Sequence, residues 1–510
     1  VKQALQLGAT YVTEDVKWRA TNRMRDDLSR HCLDLDMTFH HENTPGTMIE
    51  RIDGDVGELS NFFSQFVLNL VGNGLLLVGV LAVLFSEHWV MGLAFTAFAV
   101  AMLLALSRTV SFAVPFWRER REAMAEMFGL IEEYLGGTED IRASGAVPYV
   151  MRQLRVALYN LYRASRKAFL AGHLTWGSTH VFFAIGRVLA LGLGAWLLGR
   201  GEATLGTVLV FYQYSGVLNR PLEQLARELQ NLQSATASIK RIEELFQTRS
   251  AVVQRPDPTA LPAGALGVAF EGVRFAYEAD EPVLDGVSFA LAPGKVLGLL
   301  GRTGSGKTTI TRLLFRLYDP QAGAVRLGGV DLKDAALDAV RRRVGMVTQE
   351  VQLFRASVRD NLTFFDEAVP DTRILEALAL LGLEGWLASL PRGLDTVLAS
   401  GGRSLSAGEA QLLAFTRVFL QDPGLVILDE ASSRLDPVTE RRIEQAVDRL
   451  LAGRTAIVVA HRLATVQRAD EILILEDGRV AECGARAALL ARDSRFARLL
   501  RAGGLEEVLA

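Results

Sequence analysis

The sequence is nearly without cysteine. Its 510 residues hold two, Cys32 and Cys483, far apart and without metal-ligand spacing. A disulfide framework and a cysteine-built metal site are excluded on that count, and a reducing compartment fits. Net charge is almost absent as well, since 55 basic and 58 acidic residues leave −3. No basic excess offers itself to nucleic acid, so none is expected as a partner. The charge present is spread very unevenly, and the long stretches without any give the first positive information.

Residues 62–86 and 89–107 contain no charged side chain. Both are close to the ~20 residues that cross a hydrocarbon core. Leu174–Gly199 is a third candidate and Leu205–Leu218 a weaker fourth. Spans are expected at about 62–86, 89–110, 174–199 and 205–222. A buried core helix can mimic any one of these, but four in two hairpin-like pairs point to a membrane domain. Between spans two and three lie Arg118, Arg120, Arg121, Arg142, Arg152, Arg155, Arg163, Arg166 and Lys167. The positive-inside rule puts that loop in the cytoplasm. Four spans then return the chain to the same side. Ala123–Leu135 and Val150–Leu170 read as charged helical extensions of the spans, separated by Gly136-Gly137, Ser144-Gly145 and Pro148. A second cytoplasmic turn is expected near Asn43–Gly46.

Residues 1–246 form the expected membrane domain. A linker at 247–265 contains Pro256, Pro258 and Pro262. Residues 266–510 switch to strands alternating with helices, the pattern of an α/β domain. Expected strands are Val268–Tyr277, Val283–Ala292, Lys295–Leu300, Leu425–Asp429, Thr455–Val459 and Ile472–Leu475.

Inside this domain Gly301-Arg302-Thr303-Gly304-Ser305-Gly306-Lys307-Thr308 spells a phosphate-binding loop after the apolar run Val296–Leu300 and before a helical stretch. Such loops turn backbone N–H groups toward phosphate, and the helix N-terminus adds its dipole. Lys307 is expected on the β- and γ-phosphates and Thr308 on Mg²⁺. Gln349 then ends Val344–Thr348, Leu405-Ser406-Ala407-Gly408-Glu409 opens a helix, and Leu425–Asp429 leads into Glu430. Asp436 and His461 follow, and Tyr277 lies upstream.

This order resembles the nucleotide-binding domain of ABC transporters over nearly all of residues 266–500. The membrane half is more loosely similar to the exporter (type IV) class, with Asp53-Gly54-Asp55-Val56 after its first turn. The resemblance implies a helical transmembrane domain fused to an α/β P-loop NTPase domain. Exporters of this class carry six spans per half. The helix Tyr11–His40 resembles the cytoplasmic end of span two. Span one and the outer part of span two are expected to be missing from a chain that opens on Val1.

Carried over residue by residue, the resemblance implies that Tyr277 stacks on adenine. Residues Gly301, Arg302, Thr303, Gly304, Ser305, Gly306, Lys307, Thr308 and Thr309 would hold the phosphates. Thr308 and Gln349 would ligate Mg²⁺, with Asp429 acting through water. Glu430 would be the general base, His461 would contact the γ-phosphate, and Asp436 would communicate across a dimer. Residues Leu405, Ser406, Ala407, Gly408 and Glu409 would complete the site of a second half-transporter in trans, so a dimer is implied. The family's usual signature is Leu-Ser-Gly-Gly-Gln. Here Ala407 adds a methyl group and Glu409 a carboxylate near an expected anion. With Glu430 and His461 intact, that combination suggests a heterodimeric partner whose own signature is intact.

The expected function is an ATPase that exports a small molecule, lipid or peptide across the cytoplasmic membrane, with ATP and Mg²⁺. A lipid flippase, or the regulatory half of a heterodimeric exporter, is the alternative. The cytoplasmic turns near residues 44–52 and 142–150 would carry nucleotide closure to the spans. His180 and Arg187, seven apart on the third span, are candidates to line a path.

Overall fold

In the computed structural model, the residues described are 2–66, 70–278, 281–348, 351–399, 405–429, 437–459 and 466–501. The chain divides into two compact units, one of Val1–Leu33 with Pro45–Thr248, the other of Asp34–Thr44 with Arg249–Ala510.

The first unit is helical among its described residues. Helix α1 spans Lys2–Asp34. Helix α2 (Met37–Glu42) groups with the second unit. The first unit resumes with α3 (Pro45–Ile49), a π-helical turn (Glu50–Asp55), α4 (Val56–Phe66) and α5 (Gly72–Glu87). Two very long helices follow, α6 (Trp89–Gly136) and α8 (Val147–Gly199), joined through α7 (Thr138–Ala143). Helices α9 (Leu205–Val217) and α10 (Asn219–Gln247) close the unit. The break between α6 and α8 falls on the glycines that the sequence put there, and Gly145 takes a positive φ of 66°, which glycine adopts without penalty.

The apolar ends of these helices pack inward through Leu84, Met91, Phe95, Met102, Leu197 and Phe211. Their outer faces are also apolar, with Leu75, Val78, Leu93, Val100, Val181, Val188 and Leu191 exposed. Apolar inside and outside together is the pattern of helices solvated by lipid.

Two of the four expected spans, within α6 and α8, are helices long and apolar enough to cross a membrane. The other two are divided among the described residues. Span 62–86 runs over α4 and α5, and residues 67–69 between them lie outside the described residues. Span 205–222 is split at Leu218. Pro221 has no N–H to donate to the carbonyl of Val217, so the hydrogen-bond ladder lapses there.

The second unit contains a six-stranded sheet in the order β10-β9-β3-β8-β7-β6 and a four-stranded sheet in the order β2-β1-β4-β5. The strands are β1 (Val268–Ala276), β2 (Pro282–Leu291), β3 (Val296–Gly301), β4 (Ala322–Leu327), β5 (Val330–Asp331), β6 (Val344–Val347), β7 (Leu425–Asp429), β8 (Thr455–Val459), β9 (Glu471–Glu476) and β10 (Arg479–Ala485). Strands β9, β3, β8, β7 and β6 run parallel. Every residue of β3 and β8 is buried, which is why they read as unbroken apolar runs. Helix α11 (Lys307–Leu314) follows β3. The helices α12 (Leu337–Arg343), α13 (Val358–Thr363), α14 (Asp371–Leu380), α15 (Glu384–Ser389), α16 (Ala407–Gln421) and α17 (Pro437–Leu451) complete the layers.

Candidate functional site

Strand β3 ends at Gly301, and the next five residues form the loop that opens α11. Gly301 takes φ 153° and Gly306 φ 105°. A Cβ at Gly301 would run into the Leu475 carbonyl and the Ser305 hydroxyl. A Cβ at Gly306 would lie 2.6 Å from Leu284 Cδ2. Both positions need glycine for backbone angle and for room.

Lys307 is 7% exposed. Its ammonium donates to the Gly301 carbonyl at 2.5 Å and the Arg302 carbonyl at 2.8 Å. The lysine is thus folded back over its own loop, positive end toward the loop interior. Gly306 stands at the N-cap of α11 and offers no side-chain acceptor. Ser305 Oγ is buried without a hydrogen-bond partner among the described residues. A buried hydroxyl left unsatisfied costs free energy, and a phosphate oxygen entering the loop is the acceptor it lacks.

The loop forms one wall of a cavity of about 630 Å³, lined by Tyr277, Val283, Thr303, Gly304, Gly306, Lys307, Thr308, Thr309, Arg312, Asp429 and Val459. That volume suits a nucleotide-sized ligand. Tyr277 directly follows β1. Its ring meets Phe275 edge-on at 4.9 Å and Tyr318 at 5.2 Å. Its hydroxyl bonds Thr309 Oγ1 at 3.2 Å and accepts from Arg312 Nη1 at 3.1 Å. Burial pushes the Tyr318 phenol above its ordinary pKa, so it stays neutral behind Tyr277.

Asp429 ends β7, level with Val459 at the end of β8. Strands β6, β7 and β8 finish at Val347, Asp429 and Val459 on the same edge as the phosphate loop. Ligands in such sheets sit at the carboxyl ends of parallel strands. Thr308 and Asp429 line one cavity, a hydroxyl and a carboxylate that suit Mg²⁺, which keeps most of its shell as water and phosphate oxygen. Gln349, Glu430, Asp436 and His461 lie outside the described residues. Arg312 and Val283 were not foreseen as site residues. A basic residue five positions after Lys307, one helical turn and a half on, was the available signal for Arg312.

Residues 405–409 do not line this cavity; they open α16. Ser406 is its N-cap and Glu409 its third residue, in a reciprocal capping box. Glu409 Oε2 accepts from the Ser406 backbone N–H at 2.8 Å and from the Ser406 hydroxyl at 2.8 Å. The Glu409 N–H donates to Ser406 Oγ at 3.3 Å. The carboxylate expected to repel an approaching anion is therefore hydrogen-bonded to the backbone N–H and hydroxyl of Ser406.

His180 and Arg187 are both exposed on α8. His180 lies against Trp176, with ring centroids 4.1 Å apart and Nδ1 at 3.0 Å from the Trp176 carbonyl.

The family described as "ABC transporter" matches residues 284–433, and "ABC transporter transmembrane region" matches residues 2–222. The fatty acid ABC transporter ATP-binding/permease protein of Mycobacterium bovis is 30% identical over 482 residues, 94% of this chain and 76% of that protein. The ATP-dependent lipid A-core flippase of Syntrophus aciditrophicus is 28% identical over 485 residues, 94% and 79% of the two chains. The solved structure of a bacterial Atm1-family ABC exporter with ATP bound shares the fold. Its TM-score is 0.85 at 24% identity, covering 97% of this chain and 88% of that one.

Proposed function

Since this chain belongs to the ABC transporter family, as a membrane-embedded exporter half-transporter fused to its ATPase domain, we propose that it moves a lipid or lipid-like amphiphile across the cytoplasmic membrane by alternating access. The cavity at the end of β3 carries this proposal, because it joins Tyr277, the phosphate loop and Asp429 in one nucleotide-sized space. The names of the relatives, a fatty acid transporter and a lipid A-core flippase, favour a lipidic cargo.

In this proposal Tyr277 stacks on the adenine and Arg312 fixes the Tyr277 hydroxyl. ATP entering the loop draws Lys307 from the loop carbonyls onto the β- and γ-phosphates, and Ser305 gains an acceptor. Mg²⁺, held by Thr308 and Gln349 with Asp429 through water, would neutralise charge on the phosphates. Glu430 takes a proton from the attacking water, and His461 holds the γ-phosphate in line. Ser406 and the N-terminus of α16 meet the γ-phosphate bound to a second half-transporter. Asp436 signals across that dimer.

The Ser406–Glu409 contact favours a heterodimer as the second reading. Glu409 must give up the Ser406 donors before they can serve a partner's phosphate, so the site completed by this chain's signature is the weaker one. ATPase activity of the chain in lipid nanodiscs, with Glu430→Gln as control, tests both points. Turnover by the chain alone, abolished in the variant, is expected of a working homodimer. Turnover only with a second exporter chain is expected of the heterodimer. No turnover with either would sink the ATPase-driven reading.

A further inference from the structure

The Asp53-Gly54-Asp55 motif has no part in the ATP chemistry, yet it sits in unusual structure. Residues Glu50–Asp55 form a π-helical turn, a rare geometry found often at functional positions. Asp55 is 5% exposed. Its carboxylate accepts from Ser238 Oγ at 2.9 Å, from Arg241 Nε at 2.9 Å and from Arg241 Nη2 at 2.5 Å. Two residues earlier, Asp53 Oδ1 pairs with Arg25 Nη2 at 2.8 Å. One turn therefore grips α1 through Arg25 and α10 through Arg241.

Asp55 is buried while Arg241 is half exposed, and such a pair adds little net stability of its own. Its use lies in fixing one arrangement, because any other leaves the buried Asp55 carboxylate without its partner. The position of this pair shows which arrangement is fixed. The chain passes between its two compact units at 33/34, 44/45 and 248/249. Arg25 precedes the first crossing, Asp53 and Asp55 follow the second, and Arg241 precedes the third. Each covalent crossing is rooted at a member of this cluster. The first and third are tied again on either side. His31 Nε2 lies 2.9 Å from the Leu245 carbonyl within the first unit. Within the second, the Asp36 carboxylate takes the Ser250 hydroxyl at 3.0 Å and the Ala251 N–H.

We propose that Asp53–Arg25 and Asp55–Arg241 form a clamp that makes the three crossings move as one, so that nucleotide-driven motion reaches the membrane helices only while the clamp is closed. These are positioning residues; none touches nucleotide. The inference rests on the transport reading above.

Hydrogen–deuterium exchange of the full chain in nanodiscs, without nucleotide and with ATP plus vanadate, tests it. In the parent chain, nucleotide should change exchange both in α11 and in α9. In Asp55→Asn, α11 should keep its nucleotide-dependent protection, and α9 should match the parent without nucleotide. The nucleotide-dependent change in α9 should fall about five-fold or more, as expected when coupling between two sites is lost. Arg241→Lys alone, which keeps the charge beside an intact Asp55, should retain part of it. Asp53→Asn alters a mostly exposed carboxylate and should give a smaller loss. Undiminished transmission to α9 in Asp55→Asn and Asp53→Asn overturns the clamp. Looser α9 and α10 already without nucleotide overturns it too, because the role is then only structural. A parent chain that hydrolyses ATP with no change in α9 sinks the transport reading and the clamp together.

Discussion

Tyr277 separates recognition by its ring from recognition by its hydroxyl. The ring borders the cavity, whereas the hydroxyl faces Thr309 and Arg312. Tyr277→Ala should weaken ATP binding by roughly ten-fold, since base–aromatic stacking contributes ~1–2 kcal/mol. Tyr277→Phe should bind within about two-fold of the parent, because only a solvent-exchangeable hydroxyl contact is lost. Titration with a fluorescent ATP analogue reads both. Glu409 is the second informative residue. Glu409→Gln keeps an oxygen for the Ser406 N–H but removes the charge. Turnover should rise roughly five-fold, the effect of ~1 kcal/mol of relieved repulsion between like charges in a solvated site. Helix α16 should lose only a few tenths of a kcal/mol from its N-terminus. Unchanged or lower turnover would show that the Glu409 charge does not hold the site back. The contact itself was hidden in the sequence. Ser406 and Glu409 stand at capping-box spacing, but the charge of Glu409 drew attention to repulsion at a distance, and its local hydrogen bonds decide where it points.

Among the elements, α2 is the one most dependent on a single side chain. Asp36 caps it, accepting from the Thr38 N–H at 2.8 Å, and also takes Ser250 and Ala251. Burial pushes the Asp36 carboxyl up, but the hydrogen bonds from Ala251, Ser250 and Thr38 outweigh it and hold the pKa below 3.8. A carboxyl depressed in the folded state contributes stability above its unfolded pKa and loses it as pH falls through the folded value. Asp36→Ala should therefore cost about 1–2 kcal/mol at pH 7, and the gap should narrow as pH falls to about 3. Thermal unfolding at the two pH values checks the sign. The elements with long apolar runs were legible in sequence. Strands β3, β7 and β8 announce themselves as apolar runs, and the long helices α6 and α8 as uncharged stretches with charged extensions. Strands β4, β5, β10 and the four-residue edge strand β6 were not foreseen. Strand β4 opens on Ala-Gly-Ala, β5 has two residues, and β10 is a sheet edge with alternate side chains half exposed. Edge and short strands owe their form to neighbours already in place, which a local pattern does not contain. The grouping of residues 34–44 with the nucleotide-binding unit was equally out of reach, since it depends on contacts hundreds of residues away.

For the whole molecule, the outward-facing Leu75, Val78, Leu93, Val100, Val188 and Leu191 demand a lipid-like solvent. Detergent removal without lipid should therefore cause rapid aggregation, followed by light scattering, while nanodiscs keep the chain dispersed. The membrane and ATPase halves meet in one claim, that turnover at the β3 cavity moves a lipidic cargo. It is tested most directly with a fluorescent phospholipid analogue in proteoliposomes, its leaflet read by quenching from outside. ATP should shift the labelled lipid between leaflets with the parent complex and leave it unmoved with Glu430→Gln. Robust ATP hydrolysis by the parent with no movement of the lipid beyond the Glu430→Gln control would contradict the account.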